Sequence, residues 1–175
     1  MTITDKEFLR TELEMGVGFG NPQFEALASM TADTVRGLGH SLLDYGAGTG
    51  VYAKAFHEAG FDVFIWEKFD AHKEYIREHQ PHLRIIDEPI TTDIMAFIEV
   101  AEHMTDKELN ALFKKIKPEY ILFSSTSQKT VNDEAWGHIN VKEQIEWDAY
   151  FMGKGYEIFR QLTIPTTWAK IYKRG

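Results

Sequence analysis

The stretch "EVAEHM" at 99–104 places two carboxylates and an imidazole within five residues: Glu99, Glu102 and His103. It follows the apolar run "DIMAFI", so these side chains stand where a buried strand gives way to a helix. His138, in "WGHIN", is a second imidazole that follows the next apolar run. Carboxylates and imidazoles suit Mg²⁺, Mn²⁺ or iron, whereas an imidazole alone suits proton removal. A structural role, with His138 as a loop histidine, is the third alternative.

A glycine-rich turn, "LLDYGAGTG" at 42–50, is the second candidate for chemistry. Gly46, Gly48 and Gly50 lie between a strand-like run and a helix-like run, where glycine lets the backbone approach a ligand. A dinucleotide fingerprint would require glycine at position 51, which is Val51, and the ending of a phosphate-binding Walker loop is absent. Asp44 would repel a pyrophosphate, so the turn favours a ligand with a cationic group.

Two further acids follow the next two apolar runs of the chain. Glu67 ends "DVFIWE" and is placed to accept both hydroxyls of a ribose. Asp87 follows "LRII" and is placed to accept from an adenine amino group, a role that Glu88 could fill instead. A cationic amino acid, a ribose and an adenine together describe S-adenosylmethionine.

Apolar runs that alternate with helical patterns must position these residues. Strands are predicted at 41–46, 62–67, 83–86, 93–100, 119–125, 156–162 and 166–173. Helices are predicted from Pro22, at 51–59, from an Asp70 cap to Pro81, at 105–117 after a "TDKE" capping box, and at 141–152. The pattern predicts an α/β fold: a Rossmann-like, seven-stranded, mostly parallel sheet with helices on both faces and a C-terminal antiparallel hairpin.

Composition narrows the classes of function. The 175 residues predict a single compact domain, in which 1–40 form a lead-in and helix on the substrate side and 41–175 bind the cofactor. "MGVGFGNP" is interpreted as either a glycine-hinged lid or a lead-in. A net charge of −8 disfavours duplex DNA as a partner, and the lack of cysteine excludes thiolate chemistry. Without a long apolar run, we expect a cytoplasmic protein with no membrane partner, and a homo-oligomer is one way to complete an open site.

From about residue 41 to the C-terminus the chain resembles class I S-adenosylmethionine-dependent methyltransferases. "LLDYGAGTG", "FIWE" and "AFIEVAEHM" stand in the order that this family has them. The resemblance implies that the cofactor contacts Asp44, Tyr45, Gly46, Ala47, Gly48, Gly50, Glu67, Lys68, Asp87 and Glu99.

The Glu-x-x-Glu-His motif narrows the resemblance further. It is similar to the motif of the ubiquinone-biosynthesis O-methyltransferases and of the small-RNA 3′-terminal 2′-O-methyltransferases, which also carry a later histidine. That resemblance implies Mg²⁺ or Mn²⁺ on Glu99, Glu102, His103 and His138, holding vicinal hydroxyls of the acceptor. Metal-free members of the class share the motif and would use His103 or His138 as a base, beside Glu99.

The expected function is therefore methyl transfer to a hydroxyl of a small molecule, with or without a metal. RNA ribose 2′-O-methylation is the alternative within the enzyme class, and cofactor binding without catalysis is the alternative outside it. DNA base methylation is disfavoured, because the Asn/Asp-Pro-Pro-Tyr motif is replaced by "EVAE" and there is no cysteine nucleophile.

Overall fold

The computed structural model describes residues 4–131, 133–166 and 168–175. The helices are α1 Asp5–Glu14, α2 Pro22–Asp33, α3 Val51–Glu58, α4 Asp70–His79, α5 Asp106–Lys115, α6 Asp133–Trp136 and α7 Gln144–Met152, with a 3₁₀ turn at Ala101–His103. The strands are β1 Ser41–Tyr45, β2 Asp62–Trp66, β3 Arg84–Ile85, β4 Ile94–Ile98, β5 Tyr120–Ser124, β6 Tyr156–Leu162 and β7 Ala169–Arg174. No helix among the described residues is long and apolar enough to cross a membrane.

The chain divides into two compact units, Met1–Pro89 and Ile90–Gly175. In the first, the strands lie in the order β3-β2-β1 and all pair in parallel. In the second, the order is β4-β5-β7-β6, with β4 parallel to β5 and with β7 antiparallel to both of its neighbours. The predicted fold is confirmed: a seven-stranded, mostly parallel sheet that ends in an antiparallel hairpin.

Side-chain caps fix where several helices begin. Asn21 accepts hydrogen bonds from the backbone NH groups of Gln23 and Phe24, and Pro22 starts α2, as predicted. Thr105 and Glu108 form the expected capping box of α5. The predicted cap at Asp70 is wrong, because Phe69 is the cap residue of α4 and the Asp70 carboxylate lies 2.7 Å from the Lys73 ammonium instead.

Other elements differ from the prediction as well. Helix α1 was not predicted, although Thr4 and Glu7 form a capping box in front of it. Strand β4 ends at Ile98 rather than at Val100, because Glu99 has a φ of 53° and leaves the extended conformation. In the segment 15–22, the Phe19 backbone NH donates to the Tyr75 hydroxyl and the two rings stack, so this segment is anchored on α4.

Each unit has a buried core of its own. In the first, Leu42, Leu43, Ile65 and Ile76 are fully buried between strands and helices. In the second, aromatic rings cluster around Phe123, which lies within 4.7–6.1 Å of the rings of Phe97, Trp147, Phe151, Trp168 and Tyr172. The cores hold the strands in register, and so fix where each strand ends and where its following side chain lies.

A pair of glycine substitutions tests how tightly the glycine turn packs. Gly50 and Gly60 both have positive φ, of 81° and 98°, but a Cβ on Gly50 would lie 2.7 Å from Ile76 Cγ1, whereas one on Gly60 would meet nothing within 4 Å. We expect Gly50→Ala to lower the free energy of unfolding by about 1–3 kcal/mol more than Gly60→Ala. Urea denaturation measures both, and equal losses would contradict the close packing of Gly50.

Candidate active site

The glycine turn joins the end of β1 to the start of α3. Gly46, Gly48 and Gly50 have φ values of 73°, 54° and 81°, all in the left-handed region that residues with a side chain rarely adopt. Tyr45, the last residue of β1, is buried and stacks on Trp66 of β2 at 4.3 Å between ring centroids. The turn is therefore fixed on one side by the packing of Tyr45, while its glycines have no side chains that would keep a ligand from the backbone.

Asp44 lies just before the turn and is almost completely buried, with 3% of its surface exposed. Its Oδ2 atom has no hydrogen-bond partner among the described residues. Burial, and to a lesser extent the neighbouring Glu67 carboxylate, raises the pKa of Asp44 to about 7. A buried carboxyl oxygen without a partner is costly unless a ligand completes its hydrogen bonding, and a cation suits it best.

Glu67 follows β2 and is also buried, with 6% exposed. One carboxylate oxygen accepts from the Gly48 backbone NH and the other from the Phe69 backbone NH, both at 2.9 Å. Burial raises the pKa of Glu67, and these two backbone bonds oppose the shift. The side chain is thus held in one orientation beside the turn.

The other residues predicted to contact the cofactor differ in exposure. Ala47 is buried within the turn. Lys68 and Asp87 are exposed, Lys68 directly after Glu67 and Asp87 two residues after β3. The structure therefore brings together Asp44, Glu67 and the glycines. Lys68 is exposed with its ammonium 5.9 Å from the centre of the Phe69 ring, and Asp87 is exposed.

In the second unit, Glu99 and Glu102 stand between β4 and α5. Glu102 is fully buried, and its carboxylate accepts from the Ser125 hydroxyl at 2.8 Å and from the Thr126 backbone NH at 3.1 Å. The Thr126 hydroxyl donates to Glu99 at 3.3 Å. Burial, together with repulsion from Glu102, raises the pKa of Glu99 well above its usual range. The segment after β5 thereby holds both carboxyl groups.

The two histidines complete this group. The rings of His103 and His138 lie 4.8 Å apart between centroids. Nδ1 of His138 is 3.2 Å from Asp133 Oδ1, and Nδ1 of His103 is 3.3 Å from the Gly137 carbonyl oxygen. One carboxylate oxygen of Glu102 and one ring nitrogen of each histidine lie within 4.8 Å of one another.

The structure brings some of these predicted residues together and leaves Glu99 outside the group. The loop carrying His138 does return to Glu102 and His103, since the Ile139 and Asn140 backbone NH groups donate to the Glu102 carbonyl at 2.8 and 2.9 Å. Glu99 is not among the three grouped donors and is engaged by Thr126 instead. Sequence reasoning missed the contact of Asp133 with His138. The only feature of the sequence that could have indicated this contact is the spacing of five residues between Asp133 and His138.

Comparison with known proteins identifies the class. A family model described as a methyltransferase domain matches residues 22–169, which is most of the chain. The chain belongs to the methyltransferase domain family. Its fold is the Rossmann-like methyltransferase fold, and the predicted class I S-adenosylmethionine-dependent methyltransferase is confirmed. No curated protein matches the sequence.

Solved structures that share the fold have low sequence identity. The putative methyltransferase in complex with the Haloferax volcanii Trm112 methyltransferase activator has a TM-score of 0.76 and 12% identity, over 99% of this chain and 98% of that one. Magnesium protoporphyrin IX methyltransferase from Synechocystis PCC 6803, with bound SAH, has a TM-score of 0.61 and 13% identity, over 100% and 89%.

The pyocyanin biosynthetic protein PhzM has a TM-score of 0.66 and 13% identity over 99% of this chain. The methyltransferase described here spans 62% of the length of PhzM.

The burial of Asp44 predicts a pH-dependent stability. Its raised pKa means that the native state binds a proton that the unfolded state has released, so the stabilisation is complete below pH about 4 and is lost as pH rises through about 7. Asp44→Asn removes this titration. Between pH 5 and pH 8 we expect wild type to lose about 2–3 kcal/mol relative to the variant, measured by urea denaturation. Parallel pH profiles would contradict the assignment.

Proposed function

We propose that this methyltransferase moves the methyl group of S-adenosylmethionine to a hydroxyl group of a small molecule. The observation that carries the proposal is the buried carboxyl of Asp44, one oxygen of which has no partner among the described residues, beside the glycine turn and the oriented Glu67. When bound, the cofactor supplies a methyl group made electrophilic by its positive sulfur. The small-molecule acceptor is supported by PhzM and the magnesium protoporphyrin methyltransferase, which share the fold.

The first unit would hold the cofactor. Asp44 Oδ2 would receive its ammonium group, which also removes the cost of leaving that oxygen buried without a partner. Glu67 would accept from the ribose hydroxyls, since its backbone partners already fix its direction. Tyr45, Gly46, Ala47, Gly48 and Gly50 would shape the turn around the amino acid end. Asp87 and Lys68 would lie toward the adenine, and the family resemblance also assigns Glu99 to the cofactor.

The second unit would prepare the acceptor hydroxyl. With Asp133 accepting from Nδ1 of His138, Nε2 would carry the lone pair that can take a proton. The contact of His103 with the Gly137 carbonyl has the same effect on that ring. Glu99, His103 and His138 are therefore the residues that we assign to the acceptor and to proton removal.

A divalent metal is the alternative way to activate the hydroxyl at this place. Ligands about 2.1 Å from one ion lie about 3–4 Å from each other, and the donors of Glu102, His103 and His138 are close to that spacing. The donor set of one carboxylate and two imidazoles suits Mn²⁺ better than Mg²⁺. Asp133 would orient His138, as carboxylates commonly do for metal-binding histidines. The chemistry that a bound metal supplies is a lower pKa for the acceptor hydroxyl.

Transfer of a labelled methyl group tests the proposed reaction. Purified protein with S-adenosylmethionine labelled in the methyl group should label a pool of phenols, catechols and sugars. Asp44→Asn and Glu67→Gln should each lower kcat/KM by at least about tenfold, because each loses a charged contact with the cofactor. Labelling confined to amines would contradict a hydroxyl acceptor, and cofactor binding without labelling of any pool would indicate a non-catalytic protein.

Calorimetric titration of Mn²⁺ into chelator-treated protein saturated with S-adenosylhomocysteine separates the two ways of activation. If a metal binds, we expect one ion per chain, with binding abolished in His103→Ala/His138→Ala. The matched control is His79→Ala/His82→Ala, which removes two exposed histidines elsewhere and should bind as wild type does. No binding to wild type would contradict the metal site and favour proton removal by a histidine.

A further inference from the structure

Helix α1 contacts α4 and the residue before it. None of its ten residues is buried. Phe8 contacts the rings of Phe69 and His72 at 5.8 and 5.9 Å, and Glu12, one turn further along, reaches His72 as well. Phe8 and Glu12 therefore both contact the ring of His72 in α4.

The His72 side chain is fully buried, and its Nε2 lies 2.6 Å from Glu12 Oε2. Its Nδ1 has no hydrogen-bond partner among the described residues. Nε2 is therefore the ring nitrogen that meets the Glu12 carboxylate. The contact with His72 fixes the direction of the Glu12 carboxylate.

The second oxygen of Glu12 faces the glycine turn. A Cβ built on Gly48 would lie 3.5 Å from Glu12 Oε1. The backbone NH of the same Gly48 donates to Glu67. Glu12 and Glu67 therefore stand beside the same residue of the turn, and the unpartnered oxygen of Asp44 belongs to the strand that leads into it.

We propose that Glu12 is a further cofactor-binding residue, positioned by His72, that makes this methyltransferase bind the methyl donor in preference to the demethylated product. The proposal rests on the cofactor site proposed above. S-adenosylmethionine carries a positive sulfur, and S-adenosylhomocysteine has lost that charge with the methyl group. A third carboxylate at the turn attracts the donor more strongly than the product, so it favours the exchange of product for donor after each transfer.

Calorimetric titration of both cofactors into three variants tests the role of Glu12. Glu12→Gln should weaken binding of S-adenosylmethionine by about tenfold and that of S-adenosylhomocysteine by less than about threefold. Glu14→Gln is the matched control, since it removes the same charge from the exposed side of the same helix, and it should change neither affinity. Glu12→Asp keeps the charge and should keep most of the preference.

The result that would overturn the proposal is an unchanged ratio of the two affinities in Glu12→Gln. A ratio of affinities that falls as far in Glu12→Asp as in Glu12→Gln would also overturn the proposal, because the effect would then come from helix packing and not from charge. If wild type binds neither cofactor, the proposed function itself is wrong.

His72 is tested as a positioning residue. His72→Phe keeps a ring between Phe8 and Phe69 but removes the donor, and His72→Gln restores a donor near the position of Nε2. We expect the ratio of affinities to fall toward one in His72→Phe and to recover in His72→Gln. A ratio that is the same in both variants and in wild type would show that His72 only packs the helix.

Discussion

The burial of carboxyl groups where strands end is the constraint on which the rest of this structure depends. Removing a carboxylate from water costs several kcal/mol unless the protein or a ligand replaces the lost hydrogen bonds. Glu67 receives two backbone NH groups, whereas one oxygen of Asp44 receives none from the described residues. The pKa of Asp44 consequently rises to about 7, and the fold holds an acid that is ready to be ionised by a cation.

In the second unit, a buried carboxylate receives its hydrogen bonds from the protein itself. Glu102 is fully buried, yet a hydroxyl and a backbone NH from the segment after β5 satisfy its carboxylate. Glu99 adopts a φ of 53° directly after β4, a conformation that costs energy for a residue with a side chain. Backbone strain of this kind is commonly found at ligand-binding positions, and here it belongs to a residue that sequence reasoning had already assigned to the site.

Local sequence patterns predicted most of the elements, because strands, caps and turns depend on neighbours in the chain. The same "TDKE" motif occurs at 4–7 and at 105–108 and forms a capping box in both places. It was interpreted as a helix start only at 105–108, where an apolar pattern follows. At 4–7 the same motif starts a helix that has no buried residue.

Whether a site residue could be predicted also depends on whether its contacts are local in the sequence. Asp44, Glu67 and the glycines could be predicted, since each follows a strand at a position where this fold binds ligands. Glu12 could not, because its role depends on His72, which is 60 residues away in the sequence. The contact of Asp133 with His138 depends on the path of a loop, which no periodicity specifies. Contacts between distant segments are fixed by packing, and local sequence patterns do not predict that packing.

The number of protons released when the cofactor binds tests most directly whether Asp44 meets its cationic group. At pH 6 a carboxyl with a pKa of about 7 is about nine-tenths protonated, and a cation at Oδ2 would displace that proton. Titration of S-adenosylmethionine at pH 6, in two buffers with different heats of ionisation, should report about one proton more from wild type than from Asp44→Asn. Equal proton release from the two proteins would contradict the account.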